Sequence, residues 1–144
     1  MKCTNTTIVN LPVDKVIELF DSFDNMKKWQ PELQSVEHIS GVSGQPGAKT
    51  KLVYKHGNRT TEMIETISVR DLPREFSGSY EMKGILNKMS NSFQDLGNGT
   101  TRWTSESEFI FNGWMKYIAW MTKGSFKKMS SKMMDQFKKF AEAK

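Results

Sequence analysis

Cysteine is nearly absent from this sequence, with Cys3 alone among 144 residues. One thiol excludes an internal disulfide and a cysteine-built zinc site. Histidine is almost as scarce: His38 and His56 stand 18 residues apart, and no metal or other cofactor is expected. Long apolar runs are missing too. No stretch approaches the ~18–20 continuous apolar residues of a transmembrane helix, so no stable membrane insertion is expected. Residues Met1–Asn5 contain no apolar core of a signal peptide, which makes a cytoplasmic location the expectation. Repeats, low-complexity tracts and linkers are also lacking. With 37% apolar and 26% charged residues, one folded domain over 1–144 is expected, as monomer or homodimer.

Arginine is absent from Trp114 onward, where eight lysines face only Asp135 and Glu142, a balance of +6. The preceding 113 residues hold 13 basic and 14 acidic groups. Arginine makes the commonest base-specific contacts, so no nucleic-acid partner is expected. A solvated, lysine-coated helix face explains this charge. The alternative is a surface for anionic membrane or a protein partner.

The apolar pattern then divides the chain. Residues 2–11 read as a β-branched strand. Pro12 opens a helix carrying Val13, Val16, Ile17 and Phe20 at helical spacing, and 24–29 form a second short helix before Pro31. From residue 33 to about 113 the period becomes two. Breaks at Gly41–Gly47, His56-Gly57-Asn58, Asp71-Leu72-Pro73, Gly84 and Gly97-Asn98-Gly99 cut this span into six strands of an antiparallel meander. Alternation groups Thr50, Leu52, Tyr54 and His56; Met63, Glu65, Ile67 and Val69; Phe76, Gly78, Tyr80 and Met82; Met89, Asn91 and Phe93; and Trp103, Ser105, Ser107, Phe109 and Phe111. These make one apolar, aromatic face opposite a charged one. Residues 114–143 read as a long helix, its stripe running through Met115, Ile118, Met121 or Thr122, Ser125, Met129, Met133, Gln136 or Phe137, and Phe140. Gly124 is expected to mark a kink or close approach.

This order of elements resembles the START-like (SRPBCC) superfamily, and within it the polyketide cyclase/dehydrase-like branch. Leu11-Pro12-Val13-Asp14-Lys15-Val16 with Phe20, Trp29-Gln30-Pro31-Glu32-Leu33, and the glycine-punctuated 41–49 carry the likeness. Asp71-Leu72-Pro73, Gly99-Thr100-Thr101-Arg102-Trp103-Thr104 and Phe137-Lys138-Lys139-Phe140-Ala141-Glu142 complete it over nearly the whole chain. The resemblance implies an α+β helix-grip fold: a curved seven-stranded antiparallel sheet, two short helices after strand 1, and a long C-terminal helix over a cavity for an apolar ligand. Relatives of this kind include lipid carriers, cyclases, hormone receptors and oxygenase subunits, so the fold does not select a reaction. The oxygenases' Rieske and iron sites lack ligands here.

Glu65 is the most informative polar residue, because its alternation places it between Met63 and Ile67 on the apolar face. A carboxylate there acts as general base, ligand anchor or raised-pKa acid. A bulge that turns it to solvent is the competing reading. With Tyr80 and His56 it forms the candidate catalytic set, since enolisation and cyclisation need a base and an oxyanion donor. His56 abuts Gly57 at a strand end, however, which favours an exposed rim position. The expected ligand contacts are Leu52, Tyr54, Met63, Glu65, Tyr80, Met82, Met89, Asn91, Trp103, Ser105, Phe109, Ile118 and Met121, with Trp103 and Phe109 foremost. The glycines at 41, 44 and 47 lack phosphate-loop spacing and read as a hairpin loop. The leading expectation is a non-catalytic protein that binds a small hydrophobic molecule such as a lipid, polyketide or quinone. A cofactor-free cyclase or dehydratase is the alternative.

Overall fold

The computed structural model describes residues 2–113 and 115–143, without the side chains of 115–126. The chain runs β1 (Lys2–Val9), α1 (Val13–Phe20), α2 (Phe23–Trp29), β2 (Leu33–Ser40), β3 (Lys49–His56), β4 (Arg59–Asp71), β5 (Glu75–Met82), β6 (Ile85–Asp95), β7 (Thr101–Phe111) and α3 (Met115–Glu142). All strands pair antiparallel in the order β1-β7-β6-β5-β4-β3-β2. The meander is therefore continuous except that β1 closes onto β7. This is the α+β helix-grip architecture that the sequence implies.

Local chemistry explains the boundaries. Pro12 precedes the first turn of α1, whose Val16 and Leu19 are buried. Ser22 caps α2 by accepting a hydrogen bond from the Asn25 N–H at 3.2 Å. The strand expected over 2–11 stops at Val9, because the chain must turn before Pro12. In β4 the register shifts between Ile67 and Val69, opposite Gly78 of β5. Past that shift Val69, expected on the apolar face, is carried out to 36% exposure. A Cβ on Gly78 would lie 2.7 Å from the Thr66 carbonyl oxygen, so the backbones approach there as no other residue permits. Such a bulge bends a long strand and curves its sheet.

One aromatic cluster fastens the helices to the sheet. The Phe20 ring lies 5.0 Å from Phe93, 5.6 Å from Trp103 and 5.8 Å from Phe137. Trp29 meets Phe137 edge-on at 5.2 Å, and Phe137 meets Trp103 at 5.3 Å. Val9, Val16, Met134 and Ala141 complete this core. The α3 side chains that enter it are Met134, Phe137 and Ala141, with Ser130 buried one turn earlier. Of the expected stripe, Phe137 enters the core and Met133 and Phe140 pack half-buried against it, whereas Met129 is 59% exposed and is the position corrected. The helix is turned by about one residue, roughly 100°, so that Phe137 rather than its neighbours meets Trp103. Lys127, Lys132 and Lys139 lie on the exposed side, as expected, and Lys128 is exposed with them, while Lys116 and Lys123, expected there too, lie outside the described side chains. The anticipated kink at Gly124 falls outside the described side chains.

The end of α3 is clamped to β1. Lys138 donates to the Ile8 carbonyl at 2.6 Å and pairs with Glu142, which also accepts from the Asn10 N–H at 2.8 Å. At the other side of the core, Arg70 of β4 forks onto both carboxylate oxygens of Asp21 behind α1. Replacing Phe137 by alanine is expected to cost about 3–5 kcal/mol, the range for deleting a fully buried ring. Chemical denaturation of the two proteins checks this, and a loss below about 1 kcal/mol would show that Phe137 is not the anchor.

Candidate functional site

Six residues before Phe93 on β6, roughly 20 Å away at strand rise, the inner face changes character. A row of directly opposed residues crosses the sheet there: Thr50, Glu65, Tyr80, Asn87 and Phe109. Helix α3 follows β7 in the chain and finishes beside Val9.

Glu65 is 5% exposed, which settles its orientation: it is on the buried face and no bulge turns it out. The Tyr80 hydroxyl donates to Glu65 Oε2 at 2.8 Å. Burial pushes the Glu65 carboxyl above its ordinary value of 4.5, and the Tyr80 hydrogen bond offsets part of that rise. Tyr80 in turn is held well above the usual phenol range by burial, by the Glu65 charge and by its hydrogen bond to that carboxylate. Tyr54 is raised by burial and by the charges of Glu65 and Glu32. Its hydroxyl donates at 2.6 Å to Gln30 Oε1, at the end of α2. The same corner is tied to α3, because Gln136 donates to Glu32 at 3.4 Å and Lys132 lies 3.8 Å from that carboxylate.

Two buried polar atoms along this wall have no hydrogen-bond partner, Asn87 Oδ1 and Ser105 Oγ. Asn87 was not anticipated, although it lies two residues before Met89 and so continues the same alternation past Gly84. Gln30 was missed for a different reason: nothing local signals a contact with Tyr54, 24 residues on.

The structure separates the anticipated residues into groups. Glu65, Tyr80 and Tyr54 come together electrostatically, and Leu52 is fully buried beside them, opposite Met63. Met89 lies on the same face opposite Gly78, and Phe109 ends the polar row. Trp103 does not line this region. It is fully buried among Phe20, Phe93 and Phe137, and its Nε1 donates to Asn91 Oδ1 at 3.0 Å, so both residues serve the core. His56 is exposed on the rim, its ring 6.5 Å from Tyr54, and does not join Glu65 and Tyr80. Met63 and Met82 also reach a solvent-open groove of about 660 Å³ lined by Lys51, Glu62, Glu81 and Lys83. That groove is too open and too charged to shelter an apolar ligand. Ile118 and Met121 lie outside the described side chains.

Among the described residues, no three His, Cys, Asp or Glu side chains converge as a metal site, and no helix is long and apolar enough to cross a membrane. The Glu65 carboxylate is a stronger base than a surface glutamate, but the hydroxyls of Tyr80 and Tyr54 are already committed to protein acceptors.

The sequence matches the profile of the family described as polyketide cyclase / dehydrase and lipid transport over residues 1–142, and the chain belongs to that family. Its fold is similar to that of the Zhui aromatase/cyclase from Streptomyces sp. R1128, with a TM-score of 0.83 and 12% identity over 99% of this chain and 93% of that one. Ara h 8.0201 superposes with a TM-score of 0.79 at 14% identity, covering 100% and 99% of the two chains. A START superfamily protein from Mycobacterium smegmatis gives 0.71 at 13% identity over 99% and 94%. At such identities these likenesses show the fold. No curated protein matches the sequence significantly.

The raised Glu65 pKa sets a stability prediction. A carboxyl whose pKa rises on folding stabilises the fold while protonated and loses that contribution as pH climbs through its folded value. Glu65→Gln removes the titration and keeps an acceptor for Tyr80. The melting temperature of Glu65→Gln minus that of the wild type is therefore expected to grow between about pH 4 and pH 8. A difference that stays flat or shrinks contradicts the buried, raised carboxyl.

Proposed function

We propose that the protein binds a small hydrophobic molecule between the inner face of the sheet and α3, within one domain spanning the chain. The apolar body of the ligand lies against Leu52, Met89 and Phe109, and its polar group reaches Glu65. The observation that carries this reading is a carboxyl 5% exposed on the inner face of the sheet, in the same cross-strand row as a buried Asn87 oxygen without a partner. Burying such groups costs stability unless something pairs with them, and a bound ligand supplies that pairing. Family membership supports the same reading, since lipid transport is part of the family's description.

A cofactor-free cyclase or dehydratase with Glu65 as base is the second reading, favoured by the raised Glu65 pKa and by a structural neighbour named as an aromatase/cyclase. It is the weaker one. Tyr80 must break its bond to Glu65 before it can donate to an oxyanion, and His56 stands apart on the rim.

Native mass spectrometry of the purified protein, with titration of a hydrophobic fluorescent dye, tests the binding reading. A co-purifying apolar compound or saturable dye binding is expected, and the absence of both overturns it. Once a ligand is known, Glu65→Gln separates the two readings. A catalyst loses about 100-fold or more in rate, whereas a carrier changes only its affinity.

A further inference from the structure

We propose that the exposed side of α3 docks the protein on a bilayer with anionic headgroups, Lys128, Lys132 and Lys139 meeting the headgroups and Met129 inserting beside them. This goes beyond the binding reading above and does not rest on it, since it uses no residue of the inner wall.

The second half of α3 carries two stripes besides the one that enters the core. Ser130, Met134, Phe137 and Ala141 form the buried stripe. Lys128, Lys132 and Lys139 are all exposed, and at roughly 100° per residue they fall within about 40° of one another around the helix axis. They span about 16 Å along it. Each of these lysines is followed by an apolar residue, Met129, Met133 and Phe140, so a parallel apolar strip runs roughly 100° round from the lysine row. Met133 and Phe140 pack half-buried against the core, whereas Met129 stands 59% exposed. A lysine row beside an apolar strip on one helix is the pattern of a helix that lies in a membrane interface. The long lysine stems let the ammonium groups reach headgroups while the apolar strip sits deeper.

Charge fixes the sign of the partner. Lys127 is exposed next to this row, and Asp135 is the one acid exposed between 127 and 141. Among the described residues, Lys127, Lys128 and Lys139 pair with no acid. Lys132 lies 3.8 Å from Glu32 but keeps 71% of its side chain exposed. Lys138 is different, because it is spent on the Ile8 carbonyl and Glu142 and belongs to the clamp on β1.

Composition chooses among anionic partners. From Trp114 onward the chain has eight lysines and no arginine. Protein interfaces are enriched in arginine and depleted in lysine, and base-specific contacts also favour arginine. Its planar fork suits a fixed carboxylate or phosphate, whereas a flexible ammonium is a point charge that needs no fixed partner geometry. A fluid anionic surface presents none, and it attracts lysines through its potential alone.

Titration of the whole protein with two kinds of vesicle tests this, phosphatidylcholine alone and phosphatidylcholine with about 30% phosphatidylserine, each at about 0.05 M and about 0.5 M salt. Binding to the phosphatidylserine vesicles at low salt is expected to be at least about tenfold tighter than to the neutral ones, and to be lost at high salt. Replacing Lys128, Lys132 and Lys139 together by glutamine should weaken it roughly 100-fold, at about fivefold per lysine. Met129→Ser should weaken it about threefold or more. The same charge change made at exposed Lys55, Lys83 and Lys88 should cost less than about threefold. The comparison of lipid compositions on the wild type needs no variant to fold. Equal binding to both vesicles, or no binding to phosphatidylserine at low salt, overturns the proposal and leaves the binding reading standing. Equal losses in the two lysine triples overturn the assignment to α3. Tighter binding to soluble polyglutamate than to the vesicles overturns the bilayer in favour of an acidic protein partner.

Discussion

The packing of Phe137 against Trp103 is the contact on which the remaining architecture depends. A helix of 28 residues is about 42 Å long at ordinary rise, and only one side of it can be buried. Phe137 fixes which side that is and where along β7 the helix sits. Phe20 closes on both rings and Trp29 on Phe137, so α1 and α2 are held by the contact that holds α3. The ion pairs around it act as ties at the ends: Asp21 with Arg70 behind α1, and Lys138 with Glu142 beside β1. Because the dense packing is concentrated at the Val9–Phe93–Trp103 end of the sheet, the polar row lies beyond it along the strands.

That division lets one sheet face serve two purposes. At the core end, Asn91 has its side-chain oxygen and nitrogen both engaged, by Trp103 and by the Phe76 carbonyl. Four residues earlier on the same strand, Asn87 has a buried oxygen with none. Two asparagines on one face of one strand thus differ in whether the protein itself completes their hydrogen bonding. Folding alone favours the first arrangement. The second, in one row with Tyr80 and a carboxyl lifted by burial, is the observation on which the proposed ligand binding rests. Family membership in a group described by cyclisation, dehydration and lipid transport is consistent with that proposal.

Much of this was legible in the sequence because the relevant signals are local and periodic. A period of two placed Glu65 and Tyr80 on one face, and turn residues marked every strand break, so the element order and the family resemblance followed. The residues misjudged are those whose surroundings come from distant chain. Trp103 reads as a ligand contact from alternation alone, and only the arrival of Phe20 and Phe137 makes it core. Met129 reads as buried because methionine is apolar, yet the rotation of α3 is fixed by Phe137, and Met129 is carried to solvent. Gln30 sits at a helix end with no periodic signature, so its bond to Tyr54 exists only once β3 is folded beside α2. Asn87 continues a correctly read alternation, but a polar residue close to Gly84 resembles a strand end until its burial is seen.

The account depends most on Glu65 being a buried, titratable group that a ligand reaches. Carbon-detected NMR of the Glu65 side-chain carboxyl, titrated with pH in the presence and absence of the hydrophobic dye, measures both properties at once. The account predicts a midpoint above 4.5 in the free protein and a chemical-shift and midpoint change when the dye binds. A midpoint at the ordinary value, or a carboxyl signal indifferent to bound dye, would contradict it.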